Sequence, residues 1–372
     1  MRQPPRFSRR RAIKLAALGA AVGGSTALVG CRASAPQGRL LYPRGGLPPA
    51  WLKGLPGQWG AQPLDSPAAV LTELNRSGED RSDQNRAAAE RPLLLALGDG
   101  WASQLQRSRL EPFAAPDLLA QLAPFAHAPS RLFTADGDLP LAYPWAFGSW
   151  LLLLRDRPDL WRRRFEGWSL LLDPSLRGRL VLPSSPRVVI DLACRQLGLT
   201  GADAEALADR RLPVQLRQLV AQAAAFDERD GLNLLLAGDA DAAVLPSQRV
   251  IPLLLSDPRL QALLPDSGSP LWWQLLLHLP GSGPDADLPL PLGWLAAGAQ
   301  PPMLDRLLAG GWVPPLPPER LRPALARWPE RLRALFLPPE AVLRRCTSLA
   351  PLTPAERQLG QQLWDGAQSG PR

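Results

Sequence analysis

The chain reads as an α/β protein in which apolar strands alternate with helices, and three observations predict this. Short continuous apolar runs recur between turn residues: Leu93–Leu97, Leu180–Leu182, Ala242–Leu245 and Leu271–Leu279. Runs of that length suit strands buried on both faces of a sheet. Two of them lead through turn residues into helix-forming segments, Gly98-Asp99-Gly100 before Trp101–Arg107 and Ser184-Ser185-Pro186 before Arg187–Leu197. No repeat of roughly 20–50 residues recurs, which excludes a solenoid or propeller. The 372 residues are enough for two lobes of ordinary domain size.

Taken in order, Leu40-Leu41-Tyr42 is a short apolar run ended by Pro43, Gly45 and Gly46. Pro49–Leu55 predicts a short helix burying Trp51. Asp65-Ser66-Pro67 is a helix start, a capping side chain followed by proline in the first turn, with the helix running to about Leu74. Asn75–Glu90 is polar and reads as a loop. Arg91–Leu97 is the first buried strand, Pro112–Ser130 a proline-broken helical stretch, and Leu139–Arg155 a strand or crossover carrying Tyr143, Trp145, Phe147 and Trp150. Asp159–Phe165 predicts a helix, Gly178–Pro183 a strand, Arg187–Leu197 a helix and Ala202–Ala225 two further helical segments. Asn233–Ala237 is a short helix, Asp241–Ser247 a strand and turn, and Leu271–Leu279 a fourth apolar run. Pro289–Gln300 and Met303–Ala309 are helical and lead to the proline-rich bend Val313–Pro318. Glu319–Asp365 predicts three amphipathic helices.

The net charge of +8 invites a nucleic-acid reading, but its origin excludes one. Residues 1–30 carry six basic groups and no acid, so the remainder holds 36 basic against 34 acidic groups and is nearly neutral. That basic head, ending in Ser8-Arg9-Arg10-Arg11-Ala12-Ile13-Lys14, precedes an uncharged apolar segment, Leu15–Gly30, and then Cys31. The segment is too short and too rich in glycine and alanine for a stable membrane span, and the order is that of a secretory signal. An uncleaved N-terminal anchor is the alternative. The paired arginines with Lys14 resemble a twin-arginine export signal, with Ala12 and Ile13 at the usual Phe and Leu positions. Leu28-Val29-Gly30-Cys31 resembles a bacterial lipobox, which implies cleavage before Cys31 and lipid on its sulfur.

Further motifs lie along residues 90–365. These are Leu97-Gly98-Asp99-Gly100-Trp101 with Leu110-Glu111-Pro112, Tyr143-Pro144-Trp145, Leu171–Arg179, Pro183-Ser184-Ser185-Pro186-Arg187, Leu235–Asp241, and Ala341–Cys346 with Leu363-Trp364-Asp365. In this order they resemble the substrate-binding proteins of bacterial ABC importers, in the spermidine/putrescine-binding branch. The resemblance implies a two-lobed periplasmic-binding-protein type 2 fold with a hinged interlobe cleft that closes on its ligand. It divides the chain into an export signal (1–30), a lipid-anchored linker (31–37), lobe 1 (38–140, completed by about 275–320) and lobe 2 (141–274), with the C-terminal helices 321–372 packed on lobe 2. It implies a monomer on the periplasmic side of a membrane, lipid-anchored, handing a small amine solute to a permease and ATPase. No cofactor is implied.

The candidate ligand residues are Asp99, Trp101, Trp145, Ser185, Ser247, Trp272, Trp273 and Gln274. They follow predicted strands or lie late in them, where the carboxyl ends of an α/β sheet face a cleft. Tryptophan walls suit methylenes and cation–π contact; the competing role for these rings is core packing. The family's pattern departs in two places that matter. Gln274 stands where an acid follows the late-strand Trp, and Ser184 stands where the Asp-Ser-Pro-Arg turn has its acid. Asp99, Asp136 and Asp138 remain as acid candidates. Polyamine binding is therefore expected to be weak, or the solute to be a less charged amine. His127 and His278 lack partners at metal-ligand spacing, and no nucleophile elbow, zinc-protease or phosphate-loop motif occurs. Cys194 and Cys346 either pair in an oxidising compartment or act as small apolar residues, the reading favoured by their lack of spacing. Two other classes stay open: a ligand-less sensor or structural lipoprotein of the same fold, and a secreted enzyme.

Overall fold

Leucine-rich segments that cannot face water build the first half of a ten-stranded sheet. β1 (Gly38–Pro43) lies between β2 (Trp59–Leu64) and β3 (Pro92–Gly98), all parallel. Leu40, Leu41, Leu94, Leu95 and Leu97 are fully buried. Ser66 Oγ accepts the Ala69 N–H and opens the helix Pro67–Glu79, which packs over β1 and β3. This computed structural model describes residues 36–79, 92–134, 138–228, 230–280 and 288–369. The export segment, Cys31 and Asp136 lie outside them.

β4 (Ala142–Arg155) joins the two halves. Its first part, Ala142–Ser149, pairs antiparallel with β9 (Pro270–His278), which in turn pairs antiparallel with β3. Its second part pairs antiparallel with β7 (Ala242–Pro246) through Trp150–Leu154 and with β8 (Leu260–Leu263) through Leu152–Arg155. Beyond β7 come β5 (Leu180–Leu182) and the edge strand β6 (Ala223–Phe226), both parallel to it in sequence along the sheet. The order is β2-β1-β3-β9-β4-β7-β5-β6, with β10 (Thr347–Ser348) on β9 and β8 on β4. All of β4 but its last residue is buried, which explains its uninterrupted apolar character.

Helices Pro186–Gln196, Leu212–Gln222 and Pro354–Gln368 pack together beside β5–β7. The last is opened by a capping box between Thr353 and Glu356. Pro36–Arg372 forms a single contact unit.

Four strands were not foreseen: β2, β6, β8 and β10. β2 contains Gly60 and Pro63, tolerable because it is an edge strand. β6 is Ala223–Phe226, whose three alanines read as the end of the helix before it. After β3 the helix spans only Asp99–Ala102 rather than Trp101–Arg107, and a 3₁₀ turn follows at Arg107–Arg109. The C-terminal part holds four helices rather than three, Pro318–Leu325, Glu330–Phe336, Glu340–Leu343 and Pro354–Gln368, because Pro329, Pro338, Pro339 and Pro351 interrupt it. Among the described residues, no helix is long and apolar enough to cross a membrane.

Candidate functional site

The carboxyl ends of β3, β5, β6 and β7 and the middle of β9 gather around the crossing strand β4. The register sets Gln274 between Gly98 and Ala146, and Trp272 opposite Gly148. Gly148 is the pivot of this packing. A Cβ there would lie 2.2 Å from Ser247 Oγ and 2.4 Å from Trp272 Cζ2, so the hydroxyl and the indole edge converge directly over the glycine. Val313 bridges to Phe147, which brings the neighbouring Trp312 against the same surface. The Trp312 ring lies 5.0 Å from Trp145 and 5.9 Å from Trp272. Trp145 in turn lies 4.9 Å from Trp51, which stacks on Trp294 at 4.3 Å. Five tryptophans thus form one continuous run.

The two ends of that run differ in polarity. Trp51 and Trp294 donate their indole N–H groups to each other's backbone carbonyls, at 3.0 and 2.8 Å. Trp145 Nε1 and Trp272 Nε1, by contrast, are buried without a partner, as are Ser247 Oγ and, on the next residue, Gln248 Oε1. Leaving such a group buried and unpaired costs about 1–3 kcal/mol each. Two of them, Ser247 Oγ and the Trp272 indole, meet over Gly148 and together offer a partner a hydroxyl and an N–H.

Charged groups stand around this surface. Asp99 opens the helix after β3; burial pushes its carboxyl up to about 6, against the backbone N–H groups of Trp273 and Gly100 and the Arg187 guanidinium, which favour the ionised form. Arg187, in the first turn after β5, donates to the carbonyls of Leu349 and Ala350. Glu228, just beyond β6, accepts the Ser184 N–H at 2.7 Å, and its own carbonyl accepts from Arg249 at 2.9 Å.

The predicted residues separate into groups. Trp145, Ser247 and Trp272 come together at the crossing, with Gln274 two positions along the same face as Trp272. Strand alternation puts Trp273 on the opposite face from Trp272 and Gln274, which corrects its place among the candidate ligand residues. Trp273 is fully buried against Phe147 and Phe125 and donates to Ser348 Oγ at 2.9 Å, so it is a core residue. Asp99 stands at the strand end with Arg187. Trp101 is 36% exposed at the outer end of the short helix. Ser185 precedes the helix Pro186–Gln196, but its hydroxyl makes no capping bond. Asp138 is exposed. Neither Cys194 nor Cys346 forms a disulfide; the first is buried and the second partly so. Among the described residues no group of His, Cys, Asp and Glu is placed to hold a metal. A recess of about 590 Å³ beside β6, walled by Arg177, Arg217, Phe226 and Ala367, touches none of these residues.

Arg187, Glu228, Gln248 and Trp312 were missed. Arg187 closes the turn Pro183–Arg187, whose local pattern gives its side chain no ligand role. Glu228 lies in the charged run Asp227–Asp230, which reads as a solvated turn. Trp312 is brought in only by the Phe147–Val313 bridge, which no local pattern announces.

No family model and no curated protein matches the sequence. Solved structures do. A putative spermidine/putrescine ABC transporter from Listeria monocytogenes is 17% identical, with 90% of this chain and 99% of that one covered, at a TM-score of 0.64. The Tp0655 (TpPotD) lipoprotein of Treponema pallidum is 14% identical over 89% and 98%, at 0.63. A periplasmic thiamin binding protein is 13% identical over 90% and 96%, at 0.57. At these identities the likeness is one of fold: the architecture is that of the type 2 periplasmic binding proteins, α/β with a central sheet.

Proposed function

We propose that this chain is the solute-binding component of an ABC importer rather than an enzyme, and that it holds its solute at the β4 crossing. The observation that carries this reading is the double pairing of β4, which is shared between the two halves of the sheet and lies beneath a buried patch of unpaired polar atoms. A solute touching the β3 end and the β5–β7 ends together contacts both halves only when they are closed, so its binding energy favours the closed form. That form is the one a permease and its ATPase would read. The named neighbours support the role, and their names span polyamine and thiamin binding. The solute fits best as a small amine of polyamine-like size but lower charge. Gln274 and Ser184 stand where acids would pair with ammonium groups, and a charge-assisted hydrogen bond is worth about 1.5–3 kcal/mol.

We further propose that residues 1–30 direct twin-arginine export and that Cys31 carries the lipid, which puts the domain on the periplasmic side of a membrane as a monomer. A ligand-less lipoprotein of the same fold is the second reading, favoured by the depth at which Ser247 and Trp272 are buried. A thermal-shift screen with amines, amino acids, vitamins and sugars separates the two. A specific, concentration-dependent rise in Tm supports the binding protein; no rise with any solute supports the second reading.

A further inference from the structure

Resting on the binding-protein reading, we infer that the solute is a zwitterion of the amino-acid class, with a carboxylate end held at the β4 crossing, and not a polycation. Donors in the site have to meet acceptors on the solute. An indole N–H donates only, and an ammonium donates only. Trp145 Nε1 and Trp272 Nε1 are buried, unpaired donors on rings that are 2% and 8% exposed, and neither can be satisfied by an ammonium. Ser247, fully buried, aims its hydroxyl at the same spot over Gly148 as the Trp272 ring edge. The Trp272 indole edge and the Ser247 hydroxyl meet over Gly148, and a second unpaired donor lies on the Trp145 ring across Trp312; these donors call for acceptor oxygens.

The carboxylates nearby already have protein partners. Asp99 faces Arg187, and Glu228 accepts the Ser184 N–H while its backbone carbonyl is held by Arg249. One unpaired acceptor does remain, Gln248 Oε1, on the residue after Ser247, and it requires a donor. A solute with oxygens at one end and an N–H group at the other meets both demands. The Trp145, Trp272 and Trp312 rings supply an apolar wall along its length and cation–π attraction for its positive end.

The test is calorimetric titration of the full-length protein in detergent with α,ω-diamines, amino acids and dicarboxylates of matched carbon length. The inference expects at least one amino acid to bind tenfold or more tighter than its matched diamine and dicarboxylate. Trp272→Phe, which keeps the ring and loses the N–H, is expected to weaken that amino acid roughly tenfold. Ser247→Ala is a second, smaller truncation, with the same expectation should Trp272→Phe fold poorly. A diamine that binds as tightly as any amino acid overturns the inference and leaves the importer reading standing. Binding insensitive to both substitutions also overturns it. If the wider solute screen is silent as well, both readings fall.

Discussion

At the carboxyl end of β3, burial holds the Asp99 carboxyl at a pKa of about 6, well above its ordinary 3.8, although backbone N–H groups and Arg187 oppose the shift. The sign of the consequence is fixed. Between about pH 4 and 6 the folded chain keeps a proton that the unfolded chain has lost, so stability falls as pH rises through that window, by at most about 3 kcal/mol. Asp99→Asn should remove that fall, read from urea unfolding at pH 4 and pH 7; an unchanged pH dependence in the variant would refute the assignment. The carboxylates held low by arginine partners, Asp159, Asp209 and Asp257, lie near 2 in the folded chain and act with the opposite sign, losing their contribution as pH falls. Asp99 was legible because an apolar run ending in Gly-Asp-Gly places a side chain at a strand end. Glu228 was not, because a run of charges reads as solvent-facing whatever carboxylate it hides.

Among the elements, the helix Pro186–Gln196 does more than cover the sheet. Asp191 and Arg195 lie one turn apart with both side chains fully buried, 2.5 Å between Nε and Oδ1. Arg195 also donates to the carbonyls of Ser267 and Arg345 at 2.8 Å and to Thr347 Oγ1 at 2.8 Å, while Asp191 accepts the Ala202 N–H at 3.2 Å. One helix thereby ties the turn before β9 to β10. Arg195→Met should cost about 3–5 kcal/mol by stranding the Asp191 charge, and Asp191→Leu together with Arg195→Met should cost much less. Chemical denaturation of both variants decides it; a double variant no more stable than the single one would contradict the account. The helix itself was legible from its proline start and apolar spacing. Its buried pair was not, since an acid four residues before an arginine is also the pattern of an exposed helix face.

At the scale of the whole molecule, the alternation of strands and helices was readable because central strands, buried on both faces, have to be uniformly apolar. The edge and marginal strands β2, β6, β8 and β10 escaped because half-exposed or short strands tolerate glycine, proline and alanine. The division of β4 between two sets of partners was also hidden: a 14-residue strand buried in all but its last residue looks the same whichever strand it pairs with. If Cys31 anchors the chain, Cys31→Ser should leave it soluble or unprocessed; a variant that stays with membranes through carbonate washing would exclude a lipid anchor at that residue. The central claim is that the halves joined by β4 close on a solute at the crossing. Small-angle scattering, with and without a solute that raises the melting temperature, tests it most directly. The account predicts a smaller radius of gyration with solute bound, and loss of that change in Trp272→Ala at the same solute concentration. A radius unchanged by a saturating, stabilising solute would contradict it.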